Sequence, residues 1–166
     1  MDGFVTAGHC NGGSQSGTVA QPTWWYSNHI GDVKKNTFSN GTDFDGMFVE
    51  ADETISDKIY NNNDVNSLGY SSYLDGVTME GHVTKGEFGV VIDPSWDGCT
   101  YPSGSCVWLI DMAYTTYDGS GGDSGAPVWG SIPTKNFHGI HHGGNGNESI
   151  FSKQYNAFSG LSWDFS

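Results

Sequence analysis

The chain has 166 residues, the length of a single domain, and its 19 acidic residues against six lysines and no arginine give a formal net charge of −13. Such an acidic chain lacks the basic stripe of a nucleic-acid binder and is repelled by an anionic membrane surface. No apolar run approaches the about 18 residues of a membrane-spanning helix, and Met1 is not followed by a signal peptide, so membrane insertion is not expected.

Short runs rich in Val, Ile, Phe, Tyr and Trp alternate with clusters of Gly, Asn, Ser and Thr, and few windows have a helical period. This pattern predicts an all-β fold of short strands. In chain order the predicted strands are Gly3–Ala7, Thr23–Ser27, Gly46–Glu50, Thr78–Thr84, Phe88–Ile92, Val107–Ala113, Ala126–Trp129 and Asn136–His141. A short helix is predicted only over Ser152–Leu161, and exposed loops over Asn61–Asp64 and Asp97–Ser105.

The first predicted strand runs into the string Thr6-Ala7-Gly8-His9-Cys10. Small residues allow close backbone packing where a strand ends, and His9 then projects into a cleft. A single histidine in such a place is more often structural than catalytic, so this string alone assigns no function.

A second string, Gly121-Gly122-Asp123-Ser124-Gly125, directly precedes another predicted strand. Glycine adopts the positive φ angles that direct neighbouring backbone N–H groups into one concave spot. An oxyanion hole requires such a group of donors. Alone, the string is also a common turn.

Together the two strings resemble the signature motifs of chymotrypsin-like serine proteases, which have the chain order His, Asp, Ser. The string Phe137–Gly144 resembles the substrate-binding strand of the bacterial streptogrisins and glutamyl endopeptidases. The resemblance covers residues 3–50 and 78–163. It implies two six-stranded antiparallel Greek-key barrels and a serine endopeptidase that acts on protein or peptide substrates with no metal or cofactor.

The resemblance also implies a role for each motif residue. Ser124 is the nucleophile, His9 takes its proton, and the N–H groups of Gly122 and Ser124 form the oxyanion hole. The triad acid is expected at Asp45, which opens an apolar strand as the family pattern requires. Asp43 remains the alternative triad acid. If Asp43 has no catalytic role, it is interpreted as a turn residue.

Two residues compete for the primary specificity of the implied protease. Asp118 lies six residues before the nucleophile, where trypsin-type members pair an Asp with a substrate Arg or Lys. His141 lies where glutamyl endopeptidases read a substrate carboxylate, and His142, Gly143 and Gly144 are expected to form the strand edge that pairs with the substrate backbone. The string favours cleavage after Glu or Asp, although the net charge of −13 slows encounter with acidic substrates. The structural alternatives are a turn residue for Asp118 and a core histidine for His141.

The three cysteines leave one without a partner in the chain. Cys99 and Cys106 enclose a turn-like segment and are predicted to form a disulfide, which implies an oxidising compartment and a secreted or cell-surface protein. In the resembling family the cysteine beside the catalytic His commonly pairs with one on a preceding strand. We therefore expect that Cys10 has lost that partner, and that the first barrel is incomplete with an open edge at Phe4 and Val5.

The chain is expected to form one monomeric peptidase domain, with the His and Asp half over residues 1–60 and the Ser half over residues 75–166. Asp123, beside the nucleophile, has no arginine to neutralise it, so its partner is a lysine or backbone N–H groups. A zinc site at His138, His141 and His142 is disfavoured, because residues i and i+3 of a strand lie on opposite faces. The alternatives are an inactive or truncated protease-like domain and a secreted glycan-binding or adhesive module using Trp24-Trp25-Tyr26.

Overall fold

The structure is a computed structural model that describes residues 2–22, 27–52, 58–59, 63–64, 67–130 and 136–161. The strands are β1 (Gly3–Thr6), β2 (Thr18–Pro22), β3 (Ser27–Asn36), β4 (Met47–Ala51), β5 (Lys58–Ile59), β6 (Asn63–Asp64), β7 (Ser67–Leu68), β8 (Gly76–Glu80), β9 (Gly86–Thr100), β10 (Val107–Thr115), β11 (Pro127–Gly130), β12 (Asn136–Gly144) and β13 (Ser149–Lys153). A 3-10 helix spans Gly8–Asn11, and α1 spans Gln154–Leu161. In this part of the chain, no helix is long and apolar enough to cross a membrane.

The C-terminal sheet closes on itself. Strand β11 pairs with both β8 and β12, so the order β11-β8-β9-β10-β13-β12 returns to its own start. Closure removes the open edges that an isolated sheet would present. Its interior is filled by apolar residues of several strands and of the segments next to them: Val77, Met79, Val91, Ala113, Tyr117, Ala126, Val128 and Phe151. The structure confirms the predicted antiparallel barrel in this half.

The N-terminal sheet has the order β1-β4-β3-β2. Within the described residues β1 pairs only with β4, so the sheet is open at Phe4 and Val5, as predicted. Val33, Met47 and Val49 form its buried core.

A third apolar cluster lies between the two sheets and α1. Ala7 follows β1, Phe44 precedes β4, Ile140 lies on β12, and Ala157 and Leu161 belong to α1. Burial of side chains as large as Phe44 and Leu161 contributes about 2–3 kcal/mol each. The cluster therefore holds the end of β1 against the C-terminal barrel, where the strings singled out above meet.

Three features differ from the sequence predictions. Strands β2 and most of β3 were not predicted, because both are polar and lack an apolar alternation. The predicted loop Asp97–Ser105 is wrong over its first part, since β9 continues to Thr100 and the turn follows it. The predicted Asn-rich loop is likewise wrong at Asn63–Asp64, which pair with β5, whereas residues 61–62 and 23–26 lie outside the described residues.

Candidate active site

His9 lies in the 3-10 helix that directly follows β1. Gly8 makes this close approach possible, because a Cβ on Gly8 would lie 2.4 Å from Asn36 Oδ1 and 3.1 Å from Asp45 Oδ1. As a result the backbone N–H of His9 donates to Asp45 Oδ1 at 2.8 Å, and its ring Nδ1 lies 2.5 Å from Asp45 Oδ2.

Asp45 is fully buried in the loop before β4. Its backbone N–H donates to Ser152 Oγ at 2.9 Å, and its Oδ2 also lies 2.5 Å from His142 Nδ1. Burial alone would raise the pKa of Asp45, but the hydrogen bonds from His142 and His9 lower it to about 2. Asp43 instead uses its backbone carbonyl, which accepts from Asn156 Nδ2 at 2.9 Å. The structure thus brings Asp45, and not Asp43, to His9.

Ser124 completes the line of contacts from the other barrel. Its Oγ lies 3.0 Å from His9 Nε2 and 3.0 Å from the carbonyl oxygen of His142. The next residue, Gly125, has φ +91°, and a Cβ there would lie 2.0 Å from Thr6 Oγ1. Only glycine allows the loop that carries Ser124 to lie this close to the end of β1.

The carboxylate of Asp45 controls the protonation of His9. Burial lowers the pKa of the His9 imidazole, but the hydrogen bond to Asp45 and the nearby Cys10 thiol raise it, and the balance lies above the ordinary value of 6.5. Asp45 therefore orients the ring and stabilises the imidazolium that forms when Nε2 takes up a proton.

The turn before Ser124 presents two backbone N–H groups. Gly122 has φ +102°, a conformation that favours glycine. Among the described residues no backbone carbonyl accepts from the N–H of Gly122 or Ser124. The prediction that these two donors form an oxyanion hole is part of the proposed function.

Asp123, between these two donors, is 1% exposed and is held by the loop that joins β8 to β9. Its Oδ1 accepts from the Val83 N–H at 2.7 Å, and its Oδ2 accepts from Thr84 Oγ1 at 2.7 Å and the Ser120 N–H at 3.0 Å. Burial alone would raise the pKa of Asp123, but these hydrogen bonds lower it. Of the alternatives left open by the sequence, backbone N–H groups and one hydroxyl hold Asp123.

A cavity of about 670 Å³ opens beside Ser124. The residues that line it include His9 and His142 and the aromatic residues Trp96, Tyr101 and Tyr114. Gly143 and Gly144, at the end of β12, also line the cavity, where they leave the strand edge free of side chains.

Ser149 lines this cavity, whereas His141, on the neighbouring strand β12, is not among the described residues that line it, and each of the two side chains carries an unpaired polar atom. Both side chains are at most 1% exposed, and neither His141 Nε2 nor Ser149 Oγ has a hydrogen-bond partner among the described residues. A Cβ on Gly119 would lie 2.9 Å from His141 Nε2 and 2.8 Å from Ser149 Oγ, so the missing side chain leaves space there. His141 Nδ1 lies 3.0 Å from Tyr117 Oη. Burial lowers the pKa of His141 to about 4, so the ring is uncharged at neutral pH.

Comparison with solved structures decides the fold. The chain is similar to Cellulomonas bogoriensis chymotrypsin (21% identity, TM-score 0.74, 96% of this chain and 83% of that one) and to Nocardiopsis protease (22%, 0.74, 96% and 82%). It is also similar to a glutamic-acid-specific serine protease described as using a histidine triad in substrate binding (23%, 0.74, 96% and 84%). The chain has the chymotrypsin-like fold. No family model and no curated protein matches the sequence.

One predicted specificity residue of this chymotrypsin-like chain lies away from the cavity. Asp118 is exposed, and it is not among the described residues that line the cavity beside Ser124. The structure therefore places Asp118 outside this cavity, and its role in specificity stays a prediction.

The three histidines of the disfavoured zinc site are also divided. His138 Nδ1 lies 3.1 Å from Ser71 Oγ, away from His141. Within the described chain, the potential ligand atoms that lie together belong to His9, Asp45 and His142. Their Nδ1–Oδ2 distances of 2.5 Å are shorter than the about 3.4 Å between two ligands of one tetrahedral zinc ion. The contacts have the length of hydrogen bonds.

Several residues of the site carried no signal in the sequence. Nothing marked Val83 and Thr84 as partners of Asp123, or Tyr117 as a partner of His141, because each contact joins segments that are distant in the chain. The sequence likewise did not mark His142 as a partner of Asp45.

Proposed function

We propose that the chain is a serine endopeptidase that hydrolyses peptide bonds through Ser124, His9 and Asp45. The observation that carries the proposal is the unbroken line of contacts from Asp45 Oδ2 to His9 Nδ1 at 2.5 Å and from His9 Nε2 to Ser124 Oγ at 3.0 Å. The fold supports the proposal, because the similar structures include three named as proteases or chymotrypsin.

Acylation begins when Ser124 Oγ attacks the substrate carbonyl carbon and its proton passes to His9 Nε2. Asp45 keeps the Nδ1 proton of His9 in place and offsets the charge of the imidazolium. The N–H groups of Gly122 and Ser124 donate to the oxyanion, and loss of one such donor costs about 3–4 kcal/mol in comparable sites. His9 then gives the proton to the leaving amine, and water repeats the sequence on the acyl-enzyme.

The end of β12 is proposed to bind the substrate backbone. Gly143 and Gly144 border the cavity without side chains, so an extended peptide can pair with this edge by β-augmentation. Trp96, Tyr101 and Tyr114 line the same cavity and are proposed to contact the peptide's side chains.

We infer a preference for Glu or Asp on the acyl side of the cleaved bond. Tyr117 stays protonated, because burial raises its pKa, and it donates to His141 Nδ1. His141 then presents Nε2–H toward Ser149 Oγ, and the two unpaired groups match the oxygens of a carboxylate. The glutamic-acid-specific protease is described as using a histidine triad for binding, whereas here a tyrosine partners the single histidine.

We also propose that the protein works in an oxidising compartment outside the cytoplasm, which the Cys99–Cys106 disulfide supports. The two halves of the peptidase correspond to residues 1–60, with His9 and Asp45, and to residues 75–166, with Ser124. The sheet β1-β4-β3-β2 and the closed barrel support this division.

Labelling with a serine-directed fluorophosphonate tests the proposed function. The wild-type chain is expected to take up one label on Ser124, and Ser124→Ala is expected to take up none. Ser103→Ala, in the exposed turn after β9, is the matched control and should label normally. A folded wild-type chain that does not label would refute the proposal, and binding to immobilised glycans without labelling would support the glycan-binding alternative instead.

A further inference from the structure

One carboxylate lines the cavity beside Ser124 without a part in the proposed triad. It belongs to Glu148, which is half-buried and directly precedes β13. Among the described residues that line this cavity, Glu148 is the one with an acidic side chain. The cavity wall therefore carries a negative charge at this place.

Two aromatic rings accompany this carboxylate. Tyr114 Oη donates to Glu148 Oε2, and the Trp96 ring stacks on the Tyr114 ring with 6.0 Å between centroids and 14° between planes. Both rings also line the cavity. A hydroxyl is uncharged, so this hydrogen bond fixes the carboxylate without neutralising it. The other lone pairs of a carboxylate can accept from further donors.

The turn between β12 and β13 fixes the backbone of Glu148. The N–H of Asn145 donates to the Glu148 carbonyl at 2.9 Å, and the N–H of Glu148 donates to Asn145 Oδ1 at 3.1 Å. Asn145 directly follows Gly144, the last residue of β12. The carboxylate is therefore attached to the end of the strand edge that is proposed to pair with the substrate.

The length of β12 gives the place of this charge relative to the cleaved bond. The carbonyl oxygen of His142 lies 3.0 Å from Ser124 Oγ, and Glu148 lies one residue beyond the pair of Gly144 and Ser149. That separation is three residues of strand, or about 10 Å at about 3.3 Å per residue. Because the proposed pocket for the acyl-side Glu includes Ser149, the partner of Gly144, the acyl half of the substrate lies along this edge.

We propose that Glu148, together with the stacked rings of Tyr114 and Trp96, binds a basic side chain of the substrate about three residues before the cleaved bond. This inference rests on the proposed peptidase function and names the class of substrate for it. Arginine is preferred over lysine, because a guanidinium pairs with a carboxylate as a fork and stacks on aromatic rings, whereas an ammonium pairs as a point charge. The net charge of −13 also speeds encounter with basic peptides.

Peptide substrates that differ only in one charge test this subsite. Arginine and citrulline, its uncharged isostere, are compared at each position of the acyl side before a cleaved Glu bond. We expect kcat/KM to be about five-fold higher for arginine about three residues before the bond, and the two peptides to agree within about two-fold in Glu148→Gln. Glu87→Gln, at a half-buried glutamate of β9 that is not among the described residues lining the cavity, is the matched control and should keep the wild-type ratio.

Binding to Ser124→Ala tests the subsite without catalysis. In this variant the NMR signal of the Trp96 indole N–H is expected to shift more with the arginine peptide than with the citrulline peptide. The two peptides should shift it equally when Glu148→Gln is added. Loss of fluorophosphonate labelling with this binding difference intact would refute the peptidase function and leave the subsite supported.

Three results would overturn the inference. They are equal kcat/KM and equal binding for arginine and citrulline at every position, an arginine preference that survives in Glu148→Gln, and a preference for lysine over arginine. If Glu148→Gln does not fold, the wild-type ratio is measured in about 1 M salt, where screening of the ion pair should lower it. A ratio that does not change with salt would then overturn the inference.

Discussion

Asp123 is expected to hold the oxyanion hole in place, and Asp123→Asn tests this directly. Asparagine has the same shape but keeps only one acceptor oxygen. If that oxygen keeps the contact with the Val83 N–H, the new NH₂ group faces the Ser120 N–H, which the wild-type Oδ2 accepts at 3.0 Å. The hydroxyl of Thr84 can rotate to accept from this NH₂ group, but the N–H of Ser120 cannot.

The expected cost follows from that mismatch. A hydrogen bond to an ionised group contributes about 1.5–3 kcal/mol, and an unsatisfied buried donor adds to the loss, so we expect about 3 kcal/mol of destabilisation. For a chain of this size that corresponds to a fall in Tm of about 6–12 °C. Because the N–H groups of Gly122 and Ser124 flank Asp123, we also expect kcat to fall about 100-fold.

Thermal unfolding followed by circular dichroism, together with kcat on a peptide substrate, measures both effects. The pKa of Asp123 is lowered in the folded chain, so its stabilisation is present above the unfolded value of about 3.9 and is lost as pH falls through the folded value. The Tm values of wild type and Asp123→Asn should therefore converge in acid. Asp118→Asn, the same change at an exposed site, should alter neither quantity. Equal Tm and kcat for Asp123→Asn and wild type would refute the reasoning.

Three further predictions concern the same site. Because the pKa of His9 is raised, activity should increase with pH through a midpoint above 6.5. Asp45→Asn should lower kcat by about 10⁴ and move this midpoint to lower pH. A midpoint that is the same in Asp45→Asn and wild type would contradict the role of Asp45. The pKa of His141 is about 4 and rises when a carboxylate binds. The preference for Glu over Gln substrates should therefore grow as pH falls from 8 to 5, and it should vanish in His141→Ala. A ratio of kcat/KM for Glu and Gln substrates that does not change with pH would exclude His141 as the residue that binds the carboxylate. The Cys99–Cys106 disulfide closes a short loop, so replacing both with Ser should cost about 2.5 kcal/mol in urea unfolding, and equal midpoints would show that it does not stabilise the fold.

The motifs at chain positions 9 and 124 were predictable because each joins glycine to a reactive side chain within a few residues. Gly8 and Gly125 show why, since a Cβ on either would collide with the opposite segment. The all-β class and the C-terminal barrel followed from the apolar runs of β8, β9 and β10. These strands are buried on one face, so the apolar residues of that face are visible as a pattern in the sequence.

The parts that the sequence did not predict depend on long-range packing. Strands β2 and β3 are held by backbone pairing and carry few apolar residues, so periodicity did not detect them. The partners of Asp123 are mostly backbone N–H groups, which any sequence supplies. The exposure of Asp118 depends on the path of the loop before Ser124, which a fixed offset from the nucleophile does not determine.

The proposed function requires that Ser124 forms a covalent acyl intermediate with the substrate. Rapid mixing with an excess of an activated peptide ester, acid quenching within the first turnover and mass spectrometry measure that intermediate directly. We expect one acyl group per chain, attached to Ser124, and none in His9→Ala within the same time. Product formation without an adduct, or an adduct on another residue, would contradict it.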